Sequence, residues 1–202
     1  MTLTEIHVIY GLAWLSFGAG HSFLASQKAK SLLEPKLGAY YRITYNGFAS
    51  LHIFAVWVLG RWLFDGVDAF AVSETVGFWM SGASLLGVLI LICALMEYDL
   101  GLLAGTAQIR NFKKGVPEPA QEPLHTGGLH RYVRHPIYLG AYLILLGSAQ
   151  DDRAIATAIW GSAYLFIGTG FEERHLITLY GDAYRSYRAK VPSILPWRGK
   201  AL

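Results

Sequence analysis

Val76–Tyr98 reads VGFWMSGASLLGVLILICALMEY. A helix of that length, rising about 1.5 Å per residue, crosses a hydrocarbon core of ~30 Å. Two further blocks, His7–Ser26 and Gly47–Phe64, cross or nearly cross it. Pro136–Ala149 and Ala154–Phe171 follow, separated only by Gln150-Asp151-Asp152-Arg153. The first of that pair is short for a span on its own. Paired with its neighbour across a tight polar turn, it makes a helical hairpin. The expectation is an all-α integral membrane protein with about five transmembrane helices, the last two a hairpin.

Composition agrees. Hydrophobic residues make up 53% of the chain and charged residues 15%, against roughly 25% charged in soluble domains. Lys and Arg fall in Lys28–Arg42, Arg110–Arg134 and the tail from Arg174, which together hold 15 of the 17. All three lie on one side of a five-span arrangement. The positive-inside rule then places the N-terminus outside, with the Arg110–Arg134 loop and the C-terminus cytoplasmic, as in a bacterial-type inner membrane. The first apolar block lacks the basic start of a signal peptide and is read as a helix. Cys93, the only cysteine, can form no internal disulfide and reads as a small apolar filler. One membrane domain over 1–202 is expected. Its parts are three spans in 1–98, a cytoplasmic loop in 99–135 bent at Pro117-Glu118-Pro119, the hairpin in 136–171 and a tail helix in 172–202. Nothing points to nucleic acid as a partner or to a metal site.

Chemistry concentrates in Gly128-Leu129-His130-Arg131-Tyr132-Val133-Arg134-His135-Pro136-Ile137-Tyr138. The proline pushes His135 toward extended backbone and suits the first turn of a helix. That helix therefore starts abruptly at Pro136, aiming unpaired N–H groups and a partial positive charge at the loop. Arg131, Arg134 and His135 add full charge, so a carboxylate or phosphate is the natural guest. Gly127-Gly128 allows close backbone approach, and Tyr132 and Tyr138 offer flat faces to a heterocycle.

Glu172-Glu173 closes the last span, where ionised groups need partners. Either the pair bonds Arg131 or Arg134 structurally, or it binds a ligand ammonium or ribose hydroxyls. Leu176, Tyr180, Tyr184, Tyr187 and Val191 then recur at helical spacing between Arg185, Arg188 and Lys190. They predict an amphipathic interfacial helix ending near Pro192. Its tyrosines meet membrane or core, with Tyr184 or Tyr187 also placed to roof a site.

These residues resemble the isoprenylcysteine carboxyl methyltransferase and phospholipid methyltransferase superfamily of S-adenosylmethionine-dependent membrane enzymes. The matching text is Gly128-x-x-Arg131-Tyr132-x-Arg134-His135-Pro136-x-Tyr138, then Glu172-Glu173-x-x-Leu176. Tyr180-Gly181-Asp182-x-Tyr184-x-x-Tyr187 and Val191-Pro192-x-x-Leu195-Pro196 complete it. The resemblance implies that His125, Gly128, His130, Arg134, His135, Pro136, Tyr138, Glu172 and Glu173 shape the cofactor pocket. Many relatives place a tyrosine where this chain has His130.

His21-Ser22-x-Leu24-Ala25-Ser26 and Tyr41-Arg42-x-x-Tyr45-Asn46 resemble the NnrU-like branch, which includes methanethiol S-methyltransferases and a haem-containing isomerase. The isomerase relatives lack the glutamate pair, so its presence favours methyl transfer. The implied function is methylation of a small or lipophilic thiol. The alternatives are a phospholipid amine or isoprenylcysteine carboxylate as acceptor, or a haem-dependent isomerase or redox-associated membrane protein. His21, Arg42 and Asn46 are candidate substrate-side residues, each with a structural reading beside it. For catalysis, Arg134 would favour a thiolate, and Glu173 would serve an amine acceptor as base.

Overall fold

The computed structural model describes residues 1–117 and 123–202. Glu118 and Pro119, in the bend expected after Pro117, lie outside the described residues. The helices in chain order are α1 (Leu3–Ala25), α2 (Gln27–Leu37), α3 (Tyr41–Leu63), α4 (Glu74–Leu95) and α5 (Leu100–Ala104). They continue as α6 (Thr106–Lys114), α7 (Pro136–Gly147), α8 (Asp152–Tyr180) and α9 (Asp182–Lys190). Among the described residues, four runs are long and apolar enough to cross a membrane: Leu3–Ala25, Gln27–Leu63, Glu74–Leu95 and Asp152–Tyr180. The all-helical, integral membrane expectation is met. The fifth expected span, α7, has 12 residues, about 18 Å of helix against a core of ~30 Å.

Residues 1–67 and 99–117 form one compact body. Thr2 and Glu5 close a reciprocal capping box that satisfies two free N–H groups at the start of α1. The α1 face carrying Tyr10, Trp14 and Phe17 is buried, and α1 packs along α3. Ser26 ends α1 and caps α2 through its hydroxyl, which accepts from Ala29 N–H at 3.2 Å. Arg42 Nε donates to Leu103 O at 3.3 Å, and the Asn46 amide donates to Leu103 O and Ala104 O at 2.9 and 3.1 Å. Two candidate substrate residues thus satisfy the last carbonyls of α5, which no helical N–H can reach.

Residues 68–98 and 123–202 form the second body. Its centre is the crossing of α4 and α7. A Cβ on Gly87 would stand 2.7 Å from Gly140 O, and one on Gly140 would stand 2.8 Å from Gly87 O. The two backbones therefore touch, as small residues allow in apolar surroundings. In the turn between α7 and α8, Asp151 caps α8 by accepting from Ala154 N–H at 2.7 Å. The Asp152 carboxylate accepts from Ala69 and Phe70 N–H at 2.9 and 3.0 Å, tying the turn to the chain before α4. Of the acidic turn residues, Asp151 is thus a helix cap and Asp152 a tie between segments.

Three boundaries differ from the sequence reading. Helix α4 stops at Leu95, so Glu97 and Tyr98, counted above as its last turn, leave the helix and enter the site. Leu176–Tyr180 extends α8, and the separate α9 begins only after a turn at Gly181. The α9 stripe faces protein: Tyr184 and Tyr187 are buried with Val191 against Leu124, Leu176 and Ile177. An amphipathic stripe has the same period whichever apolar phase it meets. Cys93 is exposed on α4, so it fills no internal gap.

The Gly87–Gly140 contact has a measurable consequence. Gly140→Val should destabilise the second body by about 1–3 kcal/mol, read as a lower melting temperature in detergent. An unchanged melting temperature would show that the helices can separate without cost.

Candidate active site

The loop before α7 is shaped first by Glu97. Its Oε1 accepts from Leu129 N–H at 2.7 Å and its Oε2 from His130 Nδ1 at 2.8 Å. Gly128 sits on that carboxylate with φ of +50°, and a Cβ there would overlap the Glu97 carboxyl atoms. Only glycine satisfies both the backbone angle and the close approach. Residues Gly128–Arg131 then form a 3-10 turn, and the chain bends at Arg134 before His135 leads into α7. The Arg134 and His135 N–H groups donate to Pro192 O and Ser193 O at 2.9 and 3.0 Å, while Ala201 N–H donates to Arg131 O at 2.9 Å. Pro136 opens α7 at its first helical position, where its missing N–H costs nothing.

Glu173 is the hub. Its Oε1 accepts from Arg134 Nε at 2.8 Å, His135 Nε2 at 2.8 Å and Tyr184 Oη at 2.9 Å. Arg134 Nη2 also lies 2.8 Å from it, and Arg188 Nε stands 3.3 Å from Oε2. Arg134 Nη1 donates onward to the carbonyls of Arg188 and Val191. A second tie from α9 runs from Tyr187 Oη to His130 O at 2.7 Å. Burial pushes the Tyr184 phenol up, and the neighbouring Glu173 charge pushes it further. Burial likewise raises Tyr187. Both phenols therefore stay protonated and donate. Burial lowers His130, against the opposing pull of its bond to Glu97.

Beside this hub lies a cavity of about 160 Å³. Of the residues expected to shape a pocket, His125, His130, Arg134, His135, Pro136, Tyr138 and Glu172 line it. Gly128 acts beneath it, as the seat on Glu97. Glu173 stands behind the lining, holding Arg134 and His135. Oε2 of each glutamate is buried and accepts no hydrogen bond among the described residues, but Glu172 lines the cavity and its neighbour does not; Glu172 Oε2 lies 3.6 Å from His135 Nδ1. The His135 and Tyr138 rings stack at 5.4 Å and 13°. His21, Arg42 and Asn46 belong to the other body. There His21 Nε2 lies 2.9 Å from Tyr45 Oη, with Phe17 against the ring. Sequence reading missed Glu97 and Tyr98 as site residues. A glutamate at the end of an apolar run was the available signal.

The two glutamates should separate experimentally. Glu173→Ala leaves Arg134 and His135, with side chains 9% and 4% exposed, without their anion. Removing one partner of a buried pair costs about 3–5 kcal/mol, so this variant should lose its cooperative thermal transition or melt far lower. Glu172→Ala, at a side chain 41% exposed, should melt like the wild type. Equal melting of both variants would show that Glu173 is no hub.

Neither a protein-family model nor a solved structure matches the chain. Curated relatives do. Methanethiol S-methyltransferase 1 of Bradyrhizobium diazoefficiens is 31% identical, over 98% of this chain and 70% of that protein. Methanethiol S-methyltransferase of Crocosphaera subtropica is 27% identical, over 98% and 77%. Protein-S-isoprenylcysteine O-methyltransferase of Schizosaccharomyces pombe is 37% identical, over 36% of this chain and 34% of that enzyme. With its apolar spanning helices, its glutamate-locked loop and these relatives, the chain belongs to the isoprenylcysteine carboxyl methyltransferase-like superfamily of membrane methyltransferases.

Proposed function

We propose that this methyltransferase moves the methyl group of S-adenosylmethionine to a small or lipophilic thiol. The thiol is favoured because relatives named for methanethiol match 98% of the chain. The donor is favoured by a single structural observation. Glu172 Oε2 is buried beside the cavity with no donor among the described residues, while the start of α7, through Pro136, Ile137 and Tyr138, lines the same cavity. An amino-acid zwitterion matches that pair of features, its ammonium or the ribose hydroxyls on Glu172 and its carboxylate at the helix start.

The residues present fit that donor. Arg134, His135 and the α7 N-terminus would hold its carboxylate end, and Glu172 its ammonium or ribose. The rings of His125, His130 and Tyr138 would border its adenosine. Gly128 sets the loop that carries them. When bound, the donor supplies an electrophilic methyl group on a sulfonium sulfur. The chain's own task is then alignment and exclusion of water. Arg134 adds positive charge that favours a thiolate, and Glu173 fixes Arg134 and His135 in place. His21, Arg42 and Asn46 remain our candidates for the acceptor side. Their bonds within their own body tie α1 to α3 and α3 to α5.

Residues 1–202 act, in this reading, as one membrane domain. It has five crossings, the α7–α8 hairpin supplying the last two. The N-terminus lies outside, and the site, α9 and the C-terminus lie at the cytoplasmic face. The asymmetry of Lys and Arg supports this orientation. With Cys93 replaced by serine, an impermeant maleimide added to intact cells should label a cysteine at Asp68 and spare one at Lys113. The reverse pattern would invert the topology.

The decisive assay incubates purified protein with methyl-labelled S-adenosylmethionine and three acceptor pools: alkyl thiols, a phospholipid extract and an isoprenylcysteine analogue. Label should enter the thiols. Transfer only into lipid or the isoprenylcysteine analogue would replace the acceptor, and transfer into none would overturn the reading. Glu172→Gln should weaken S-adenosylhomocysteine binding on the order of tenfold, the loss of one charge-assisted hydrogen bond.

A further inference from the structure

Alkyl thiols are poor nucleophiles until they ionise, and they are less acidic than a cysteine side chain, whose pKa is about 8.5. A proton must therefore leave the acceptor. Glu173 does not line the cavity, and His135 Nε2 is committed to it at 2.8 Å. A different chain of groups reaches the cavity wall from the end of α4. Tyr98 and His130 both line the cavity. Tyr98 Oη lies 3.0 Å from His130 Nε2, and His130 Nδ1 lies 2.8 Å from Glu97 Oε2.

The polarity of this chain follows from its far end. An ionised carboxylate only accepts, so His130 Nδ1 carries a proton. In the neutral ring Nε2 is then the acceptor, and the Tyr98 phenol donates to it. The ring is 3% exposed. Glu97 is itself fixed by Leu129 N–H at 2.7 Å and by the glycine seated on it. The groups facing His130 are Glu97, Tyr98, His125 and, farther off, His135. Its lowered basicity leaves Nε2 free of a proton at neutral pH, ready to receive one.

We propose that Tyr98 is the catalytic residue that takes the acceptor thiol's proton while passing its own phenolic proton to His130. His130 and Glu97 are positioning residues that act through it. This deepens the thiol reading given above and rests on it. In the step, the S–H proton moves to Tyr98 Oη as the phenolic proton moves to His130 Nε2. The thiol sulfur's electron pair forms the new S–C bond. The bond that breaks is the sulfonium C–S bond of the donor, whose pair stays on that sulfur. The imidazolium, held by Glu97, returns its proton to solvent afterwards.

The test uses the full-length protein in detergent with two acceptors, ethanethiol and 4-nitrothiophenol, the second already ionised at neutral pH. Tyr98→Phe keeps the ring and deletes the hydroxyl. It should lower kcat for ethanethiol on the order of 100-fold and leave 4-nitrothiophenol nearly unaffected. Binding of S-adenosylhomocysteine, by calorimetry, should not change. His130→Asn should show the same dependence on acceptor acidity, and it decides the matter if Tyr98→Phe fails to fold. Equal losses with both acceptors, or no loss with either, overturn the proposal. If the variants behave so while the wild type methylates thiols, the thiol reading stands and the relay falls. If the wild type methylates neither thiol, both fall together.

Discussion

A single carboxylate oxygen, Glu173 Oε1, gathers donors from Arg134, His135 and Tyr184, and the second body is organised around that convergence. The donors come from the loop, from the residue that caps α7 and from α9. An anion withdrawn from water is costly unless its lone pairs are filled and an opposite charge lies close. Here Oε1 is filled and opposite charge lies close, with Arg188 Nε 3.3 Å from Oε2, and the cost of leaving any one donor without the anion keeps the rest in place. The two arginine-held carbonyls at Arg188 and Val191 extend the same lock to the end of α9.

Adjacent residues on a helix point about 100° apart. That simple fact divides the labour of the glutamate pair. Glu173 turns inward and becomes architecture; Glu172 turns to the cavity with a buried oxygen still to be satisfied. A carboxylate made rigid by many donors offers little to a ligand. The neighbour that lines the cavity offers more, and it is presented at a fixed place because the other is locked.

Much of this was legible in the sequence because it is local. The start of α7 follows from Pro136 and the restriction it places on His135. The apolar runs announce their phase by length alone. Other features depend on partners distant in the chain. The Tyr184 and Tyr187 stripe has the same period whether it meets lipid or Leu176 and Ile177. Glu97 and Tyr98 hid inside an apolar window, since hydropathy averages over the residues where a helix ends. His130 departs from the tyrosine common among similar proteins, and its meaning emerged only with Glu97 on one ring nitrogen and Tyr98 on the other.

The backbone N–H groups of Arg134 and His135 find their partners at Pro192 and Ser193, and Arg131 O finds its partner at Ala201. A ribosome makes the loop long before it makes those residues. Helices α7 and α8 are complete earlier in the chain, but the loop has no backbone to rest on until the tail has emerged and folded back. During synthesis, then, these backbone groups of the loop stay without their partners until Pro192, Ser193 and Ala201 have been made. A chain stalled or clipped before Pro192 would carry its long helices and lack the backbone partners of this loop.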